Sequence, residues 1–431
     1  MTKADRLWAL SILWSSAREV YPYFDRLDLD WDADYREYLP KLMQETDDYP
    51  SWLLLCEFVR LLNDGHTTVS LPKDMVSGFG FFPFRFRHVG NHFLITEAPQ
   101  KENLLLEALG VDDVSMDDWV QRLNRWQYTA NGHPYFGRLE SWMPLMLPGK
   151  SHTLHTDAGD IPFQYLPEKP SLLKAADPIS RYPFRILSDS IRLFDPGILC
   201  ARMDDLQRLD QADEFQKILQ ETKPKAVLFD IRRNIGGMTL CGAKYAQPFF
   251  SGSFGGCSKW TQHRKAVDAA GASQLSGMSD AAAQRLMERG IVSRQDFEDA
   301  QEYARHTRYE RYRDEWENTA PFHDLECPVA LLTSRDTISA AEDFACFFKF
   351  SKRGTILGEP TFGSTGSPLI VPLPNGGRGQ IVSVGYTLAD GTPFIGCGIQ
   401  PDLSLTGDAD AYRNRIDQAL DAALEYLRNK C

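Results

Sequence analysis

The chain has 431 residues, which is long for one hydrophobic core and sufficient for two or three. Its composition, 43% hydrophobic and 25% charged, is that of a folded globular protein and excludes a disordered chain. The net charge of −12, without a dominant basic cluster, argues against a nucleic-acid or anionic-membrane partner.

Cysteine usage and the N-terminal sequence bear on the compartment. The eight cysteines are scattered without a C-x-x-C pair, and several lie inside apolar runs. This pattern is typical of a reducing compartment, where thiols stay unpaired. The apolar stretch near the N-terminus carries charge on both sides and continues with helical periodicity. We therefore expect no signal peptide, no transmembrane segment and a cytoplasmic protein.

Three regions follow one another along the chain. Residues 1–72 show apolar positions at helical spacing and are predicted to form an N-terminal helical region ending in the motif DGHT. Residues 73–175 contain short strand-like segments separated by turns such as DAGD, which predicts a β-rich module. In residues 176–431 strands alternate with helices, and this alternation predicts an α/β domain with helices packed on a sheet.

An insertion at about 252–322 interrupts the α/β domain. It opens with a Gly/Ser-rich segment and then becomes polar, and we predict it to be helical, with the basic run at 305–313 as a solvated helix face. Two interpretations stay open: a surface excursion, and a lid that covers substrate.

Four segments carry the residues that suit catalysis. They are DGHT at 64–67, DIRRNIGG at 230–237, TSRDTISAAE at 333–342 and GEPTFGSTG at 358–366. Ser339 lies between an apolar strand and a helix, where free N–H groups stabilise an oxyanion, although a serine there also serves as a simple helix cap. The paired glycines of NIGG allow the backbone to approach a ligand closely. The segment matches neither phosphate-binding glycine motif, so it does not indicate nucleotide binding.

Together with GIQPD at 398–402, these segments resemble the C-terminal processing (tail-specific) peptidases and their tricorn-protease relatives. The resemblance runs from about residue 50 to 405 in the family's order. It implies a crotonase-like, ClpP-like α/β catalytic domain and places Ser339 on the nucleophile. It also implies an oxyanion hole formed by the N–H of Ala340 and that of Gly236 or Gly237. Glu342 matches the family's acidic residue on the following helix.

The general base is where the sequence departs from the processing-peptidase branch. That branch has a lysine after G-E-x-T-x-G, whereas this chain has Gly363-Ser364-Thr365. The tricorn branch uses a histidine at the position of His66, and an imidazole suits proton transfer near neutral pH. A triad also needs an acceptor on the far nitrogen of the histidine, and four acids stay open for that role. These candidates are Asp64, Glu342, Asp390 and Asp402.

A second resemblance concerns substrate binding. Gly78-Phe79-Gly80-Phe81 is similar to the carboxylate-binding loop of PDZ domains, and the following region resembles a shortened, degenerate PDZ module. The alternative is a β-rich domain in which these aromatic residues simply pack.

The sequence therefore predicts a serine peptidase acting on peptides, unfolded chains or C-terminal tails. No metal or organic cofactor is expected, and a homo-oligomer is compatible with the sequence. The rival hypothesis is a non-catalytic protein that binds peptides or apolar ligands on the same scaffold.

Overall fold

The structure is a computed structural model. It describes residues 1–130, 132–135, 137–263, 278–288, 293–295, 297–298, 301, 308–313, 315–320, 322–323 and 325–431. Within these ranges, no helix combines the length and the apolar character needed to cross a membrane.

The N-terminal region is helical, as the periodicity predicted. Its first helix begins with a capping box between Thr2 and Asp5, and Asp30 caps the second by accepting the N–H of Ala33. The elements are α1 (Lys3–Val20), α2 (Trp31–Gln44), α3 (Asp48–Arg60) and the short strand β1 (Thr68–Ser70).

The next region is built mainly from strands. Its main sheet has the order β10-β3-β4-β8-β9, with β2 paired to β3 and β5 paired to β4, while β6 and β7 form a separate hairpin. The elements are α4 (Lys73–Gly78), β2 (Arg85–Val89), β3 (His92–Ala98), β4 (Glu107–Val111), β5 (Val114–Ser115), α5 (Met116–Leu123), β6 (Thr129–Ala130), β7 (His133–Pro134), α6 (Arg138–Met146), β8 (His152–Thr156), β9 (Gly159–Phe163) and β10 (Leu173–Lys174).

These two regions share one hydrophobic core. Leu10 and Trp52 from the helices and Phe82 and Trp119 from the β-rich region belong to the same buried cluster. The cluster also includes Ile381 from a later strand. The β-rich region is therefore held against the helices and the α/β domain by continuous apolar packing.

The α/β domain is centred on a sheet with the order β11-β12-β13-β14-β17-β18-β22, in which β13, β14, β17, β18 and β22 run parallel. The elements of this part of the chain are β11 (Phe184–Ile186), β12 (Ile191–Phe194), β13 (Ile198–Arg202), α7 (Leu209–Thr222), β14 (Ala226–Asp230), α8 (Thr239–Ala246), β15 (Cys257–His263), α9 (Asp280–Glu288), β16 (Arg308–Arg313), β17 (Val329–Thr333), α10 (Ala340–Ser351), β18 (Thr355–Gly358), β19 (Pro368–Pro372), β20 (Arg378–Val382), β21 (Gly385–Leu388), β22 (Leu403–Ser404), α11 (Ala409–Arg413) and α12 (Gln418–Arg428).

Helices cover both faces of this sheet, as expected for parallel strands. Phe229 packs with Phe215 and Phe344 on the face covered by α7, α8 and α10. Its neighbour Leu228 packs with Leu424 of α12 on the opposite face. The period of two along β14 therefore explains why this strand reads as continuously apolar.

The ends of the insertion differ from the prediction. Residues 257–263 and 308–313 are the paired strands β15 and β16, and β15 also pairs with β21. The run at 305–313, predicted as a solvated helix face, is thus largely strand, because pairing with β15 overrides its weak helical pattern. The centre of the insertion, and with it the lid prediction, lies largely outside the described residues.

Candidate active site

The central residues of the candidate site lie on the loops that follow three neighbouring strands. The loop with the paired glycines follows β14, the turn leading to Ser339 follows β17, and the loop containing Ser364 follows β18. These strands are adjacent and parallel, so their carboxyl ends meet at one edge of the sheet, where α/β proteins commonly bind ligands.

Ser339 lies at the junction of β17 and α10 with a strained backbone. Its φ of 62° and ψ of −131° are unfavourable for a residue with a Cβ atom. The turn is fixed by the N–H of Ile338, which donates to the carbonyl oxygen of Asn234, and by the N–H of Ser339, which donates to that of Ser364. Such strain persists only where surrounding contacts enforce it, and it is common at functional sites.

His66 reaches Ser339 from outside the central sheet. It lies just before β1, which pairs with β20, and the adjacent Thr67 hydroxyl accepts the N–H of Val382. The carboxylate of Asp64 accepts the backbone N–H of His66 at 2.8 Å. With the loop held in this way, His66 Nε2 lies 3.1 Å from Ser339 Oγ, which is hydrogen-bond distance.

The other ring nitrogen of His66 contacts a serine. Nδ1 lies 2.6 Å from the Oγ of Ser364, whose side chain is fully buried. Nδ1–H donating to Ser364 leaves Nε2 unprotonated and facing Ser339, which is the tautomer that a general base requires. The sequence signal for Ser364 was its position, at the place where the processing peptidases have their lysine.

The four acids considered for this role lie elsewhere, and the prediction of an acid on His66 is corrected. Asp64 accepts the backbone of His66 and not its ring. Asp402 pairs with Lys349 and accepts the N–H of Ile356, so it fixes the loop beside β18. The remaining two contact only other groups: Asp390 accepts the N–H of Thr392, and Glu342 accepts from Ser339, Thr361, Gly363 and Ser364.

Glu342 fixes the two serines relative to each other. Its Oε2 accepts the N–H of Ser364 at 2.8 Å and that of Ser339 at 3.3 Å. Its Oε1 accepts the hydroxyl of Thr361 at 2.5 Å and the N–H of Gly363 at 2.8 Å. Burial raises the pKa of this carboxyl to about 7, although the four donors favour its charged form.

The electrostatic surroundings favour neutral groups around the nucleophile. Burial lowers the pKa of His66 to about 4, so the imidazole is unprotonated at neutral pH. Burial also raises the pKa of Asp64 to about 6. A neutral His66 beside Ser339 is the state in which a general base accepts a proton.

Of the backbone N–H groups predicted to form the oxyanion hole, some are free to bind an oxyanion and one is already hydrogen-bonded. The N–H of Gly236 donates to Asn234 Oδ1 at 2.9 Å, so it is already used. Among the described residues, no acceptor takes the N–H of Gly237 or of Ala340. Gly236 has a separate constraint: a Cβ atom there would lie 2.6 Å from Ser339 Cβ, so the backbone approaches the nucleophile as only glycine permits.

The predicted carboxylate-binding loop, Gly78 to Phe81, is corrected by its hydrogen bonds. Gly78 ends α4, and the N–H groups of Phe79 and Gly80 donate back to carbonyl oxygens of that helix. The N–H of Phe81 donates to the carbonyl oxygen of Leu166. No N–H of residues 79–81 is left for a carboxylate, and the ring of Phe79 packs on Tyr49.

The known proteins with similar sequences or structures include several peptidases. Residues 199–405 match the model of peptidase family S41. The C-terminal processing peptidase of Tetradesmus obliquus chloroplasts is 35% identical over 82 residues, which is 19% of this chain and 18% of that protein. The chain therefore matches less than a fifth of the length of this relative.

Solved structures extend the likeness to the whole fold. Mature CPAF in complex with lactacystin superimposes with a TM-score of 0.70 at 16% identity, covering 99% of both chains. A putative peptidase from Parabacteroides merdae superimposes with a TM-score of 0.54 at 16% identity, covering 99% of this chain and 97% of that one. At this identity the likeness concerns the fold, a mixed α/β architecture with a crotonase-like core. Residues 199–405 therefore match peptidase family S41, the family of serine hydrolases that the sequence motifs indicated.

Proposed function

We propose that this protein hydrolyses peptide bonds through an acyl-enzyme, with Ser339 as nucleophile and His66 as general base. The observation that carries the proposal is the 3.1 Å separation of Ser339 Oγ and His66 Nε2 at a strained strand-to-helix turn. On the other side of the ring, the hydroxyl of Ser364 can accept the Nδ1–H of the tautomer that this role requires. A serine hydroxyl needs such an adjacent base to be nucleophilic near neutral pH.

Each chemical step has a group in place. Ser339 Oγ attacks the carbonyl carbon of the scissile bond while its proton passes to His66 Nε2. The N–H groups of Gly237 and Ala340 stabilise the oxyanion. The protonated histidine then gives its proton to the leaving amine, and water, deprotonated by the same imidazole, hydrolyses the ester.

Exposed apolar side chains in and just after the NIGG segment favour peptide substrates. Ile235, Met238 and Leu240 are 41%, 43% and 51% exposed, and they lie on both sides of Gly237. Apolar groups exposed next to a catalytic site commonly bind apolar parts of a ligand. We propose that they contact side chains of unfolded segments or C-terminal tails.

The proposal includes a compartment and an assembly state. No disulfide joins the eight cysteines, all of which lie in the described ranges, and this supports a reducing compartment such as the cytoplasm. A homo-oligomer remains compatible with the chain.

The test is covalent labelling with a fluorophosphonate probe, followed by peptide cleavage. The wild type is expected to label. Ser339→Ala is expected to lose the label, and His66→Ala to lose most of it. Mapping of products from peptides with free and amidated C-termini then distinguishes tail trimming from internal cleavage. A wild type that neither labels nor cleaves any peptide mixture contradicts the proposal and favours the non-catalytic binder.

A further inference from the structure

The turn before Ser339 is contacted by a histidine of the β-rich region. His133, on the β6–β7 hairpin, places its Nε2 at 3.2 Å from Oδ1 of Asp336, three residues before the nucleophile. His133 is only 5% exposed, and the side chain of Asp336 is 12% exposed. This contact joins residues that are 203 positions apart in the sequence.

A second histidine extends the contact to strand β2. Nδ1 of His88 lies 3.1 Å from Nδ1 of His133, so one of these atoms donates and the other accepts. Burial alone would raise the pKa of Asp336, but the hydrogen bond and charge of His133, with Arg87 and His88 nearby, hold it below its usual value. An ionised Asp336 only accepts hydrogen bonds. His133 must therefore donate to this carboxylate from Nε2, and the contact between the two Nδ1 atoms needs a proton on one of them.

The same turn is fixed on its opposite side by the loop that follows β14. The hydroxyl of Ser334 donates to the carbonyl oxygen of Arg232 at 2.6 Å, and the N–H of Ile338 donates to that of Asn234 at 3.1 Å. Asp336 faces the hairpin instead, where Ile338 also packs against Tyr128 of the same region. The strained turn thus contacts the loop that follows β14 on one side and the β6–β7 hairpin on the other, and both fix its conformation.

We propose that His133 is a positioning residue for catalysis. Through Asp336 it holds the turn in the strained conformation that presents Ser339 to His66, and the Asp336 carboxylate keeps a proton on its Nε2. The inference rests on the proposed function, since it concerns the geometry of the same nucleophile. It makes the β-rich region a structural part of the catalytic centre.

The test compares labelling kinetics of four proteins with the fluorophosphonate probe. His133→Phe keeps a ring but removes the hydrogen bond, and it is expected to lower the maximal labelling rate about 10- to 100-fold with little change in probe affinity, because small displacements of a nucleophile have effects of this size. His133→Gln places an N–H near the position of Nε2 and is expected to restore most of the rate. His155→Phe is the control, since His155 forms a similar pair with Asp160 at 2.7 Å on the surface of the same region.

Several results would overturn the proposal. One is a His133→Phe variant that labels like the wild type, and another is a glutamine variant that restores nothing. If the phenylalanine variant does not fold, Asp336→Asn and His133→Gln supply the same comparison. If the wild type does not label at all, the proposed function fails, and histidine ring NMR still decides the inference. The inference requires that His133 carries a proton on Nε2. It also requires that the amide resonance of Ser339 shifts in Asp336→Asn. A His133 that carries its only ring proton on Nδ1 contradicts the inference.

Discussion

The Oγ atom of Ser364 lies 2.6 Å from Nδ1 of His66, in the place where a serine-peptidase triad usually has a carboxylate. A hydroxyl orients the imidazole but carries no charge to stabilise the imidazolium that forms during catalysis. Ser364 therefore supplies the orientation of the base that a carboxylate usually gives, but not the charge stabilisation. The nearby Glu342 carboxylate acts on the backbone of Ser364 and not on the ring.

The first prediction concerns Ser364 itself. Ser364→Ala removes the acceptor that sets the tautomer of His66, and we expect the labelling rate to fall about 10²-fold, within the range of general-base contributions. The rate is read from fluorophosphonate labelling at neutral pH. Ser367→Ala on the same loop is the control, because Ser367 is exposed, and it should label normally. Equal rates for both variants would contradict the role of Ser364.

The second prediction concerns acid pH. Because the pKa of His66 is lowered to about 4, the imidazole stays neutral as pH falls through the usual histidine range near 6.5. We therefore expect the step of the kcat/KM profile that belongs to His66 to lie near pH 4, below any step from the carboxyls of Glu342 and Asp64, whose pKa values burial raises to about 7 and about 6. A half-loss of kcat/KM near pH 6.5 that persists in Glu342→Gln would show that His66 is not shielded in this way.

The same shift has a consequence for stability. Between pH 6.5 and 4 the unfolded chain binds a proton at this histidine that the folded chain does not bind. The free energy of unfolding should thus decrease as pH falls, by up to about 1.4 kcal/mol per pH unit for this one group. Denaturant titrations of wild type and His66→Asn across this range isolate the contribution, because the variant lacks it.

The third prediction concerns Glu342, whose titration has the opposite sign. Its pKa is raised to about 7, so between its ordinary value and pH 7 the folded chain holds a proton that the unfolded chain has lost. This contribution to stability is present at low pH and decreases as pH rises through that window. Glu342→Gln removes it, so the stability difference between wild type and variant should depend on pH in that window.

Glu342→Gln should also weaken the site where the carboxylate is ionised, at and above about pH 7. Each oxygen of the Glu342 carboxylate accepts two hydrogen bonds. In Glu342→Gln an amide nitrogen replaces one of these oxygens, and because this nitrogen is only a donor, the two groups that donated to that oxygen lose their acceptor. Leaving two buried donors without an acceptor is expected to lower the free energy of unfolding by about 2–4 kcal/mol and to slow labelling. Glu359→Gln, next to the same loop, is the comparison. A stability equal to that of the wild type would refute the bracing role.

The fourth prediction concerns Gly236. Gly236→Ala places a Cβ atom 2.6 Å from Ser339 Cβ at a φ of +90°, so we expect labelling to be abolished. Gly391→Ala is a matched control, because Gly391 has a φ of +89° and nothing lies within 4 Å of its added Cβ atom. Both variants carry the backbone strain, and only the first displaces the nucleophile. Comparable labelling of the two would mean that the backbone contact at Gly236 is unimportant.

The sequence by itself determined the order of the regions and the position of Ser339 between a strand and a helix. These are local properties, since hydrophobic periodicity and the turn residues decide where each element begins and ends. The resemblance to the processing peptidases also indicated His66 as the general base for Ser339, because Ser364 occupies the position at which those peptidases have their lysine.

Tertiary structure alone decided which side chain orients His66, which glycine N–H stays free, and which residues brace the nucleophile turn. Ser364 faces the imidazole because β18 lies beside β17 and because Gly65 permits close approach; a Cβ atom there would lie 2.8 Å from Ser364 Oγ. Likewise, His133 meets Asp336 only when the β6–β7 hairpin packs on the α/β domain. Local patterns do not contain such contacts, because they depend on how distant segments pack.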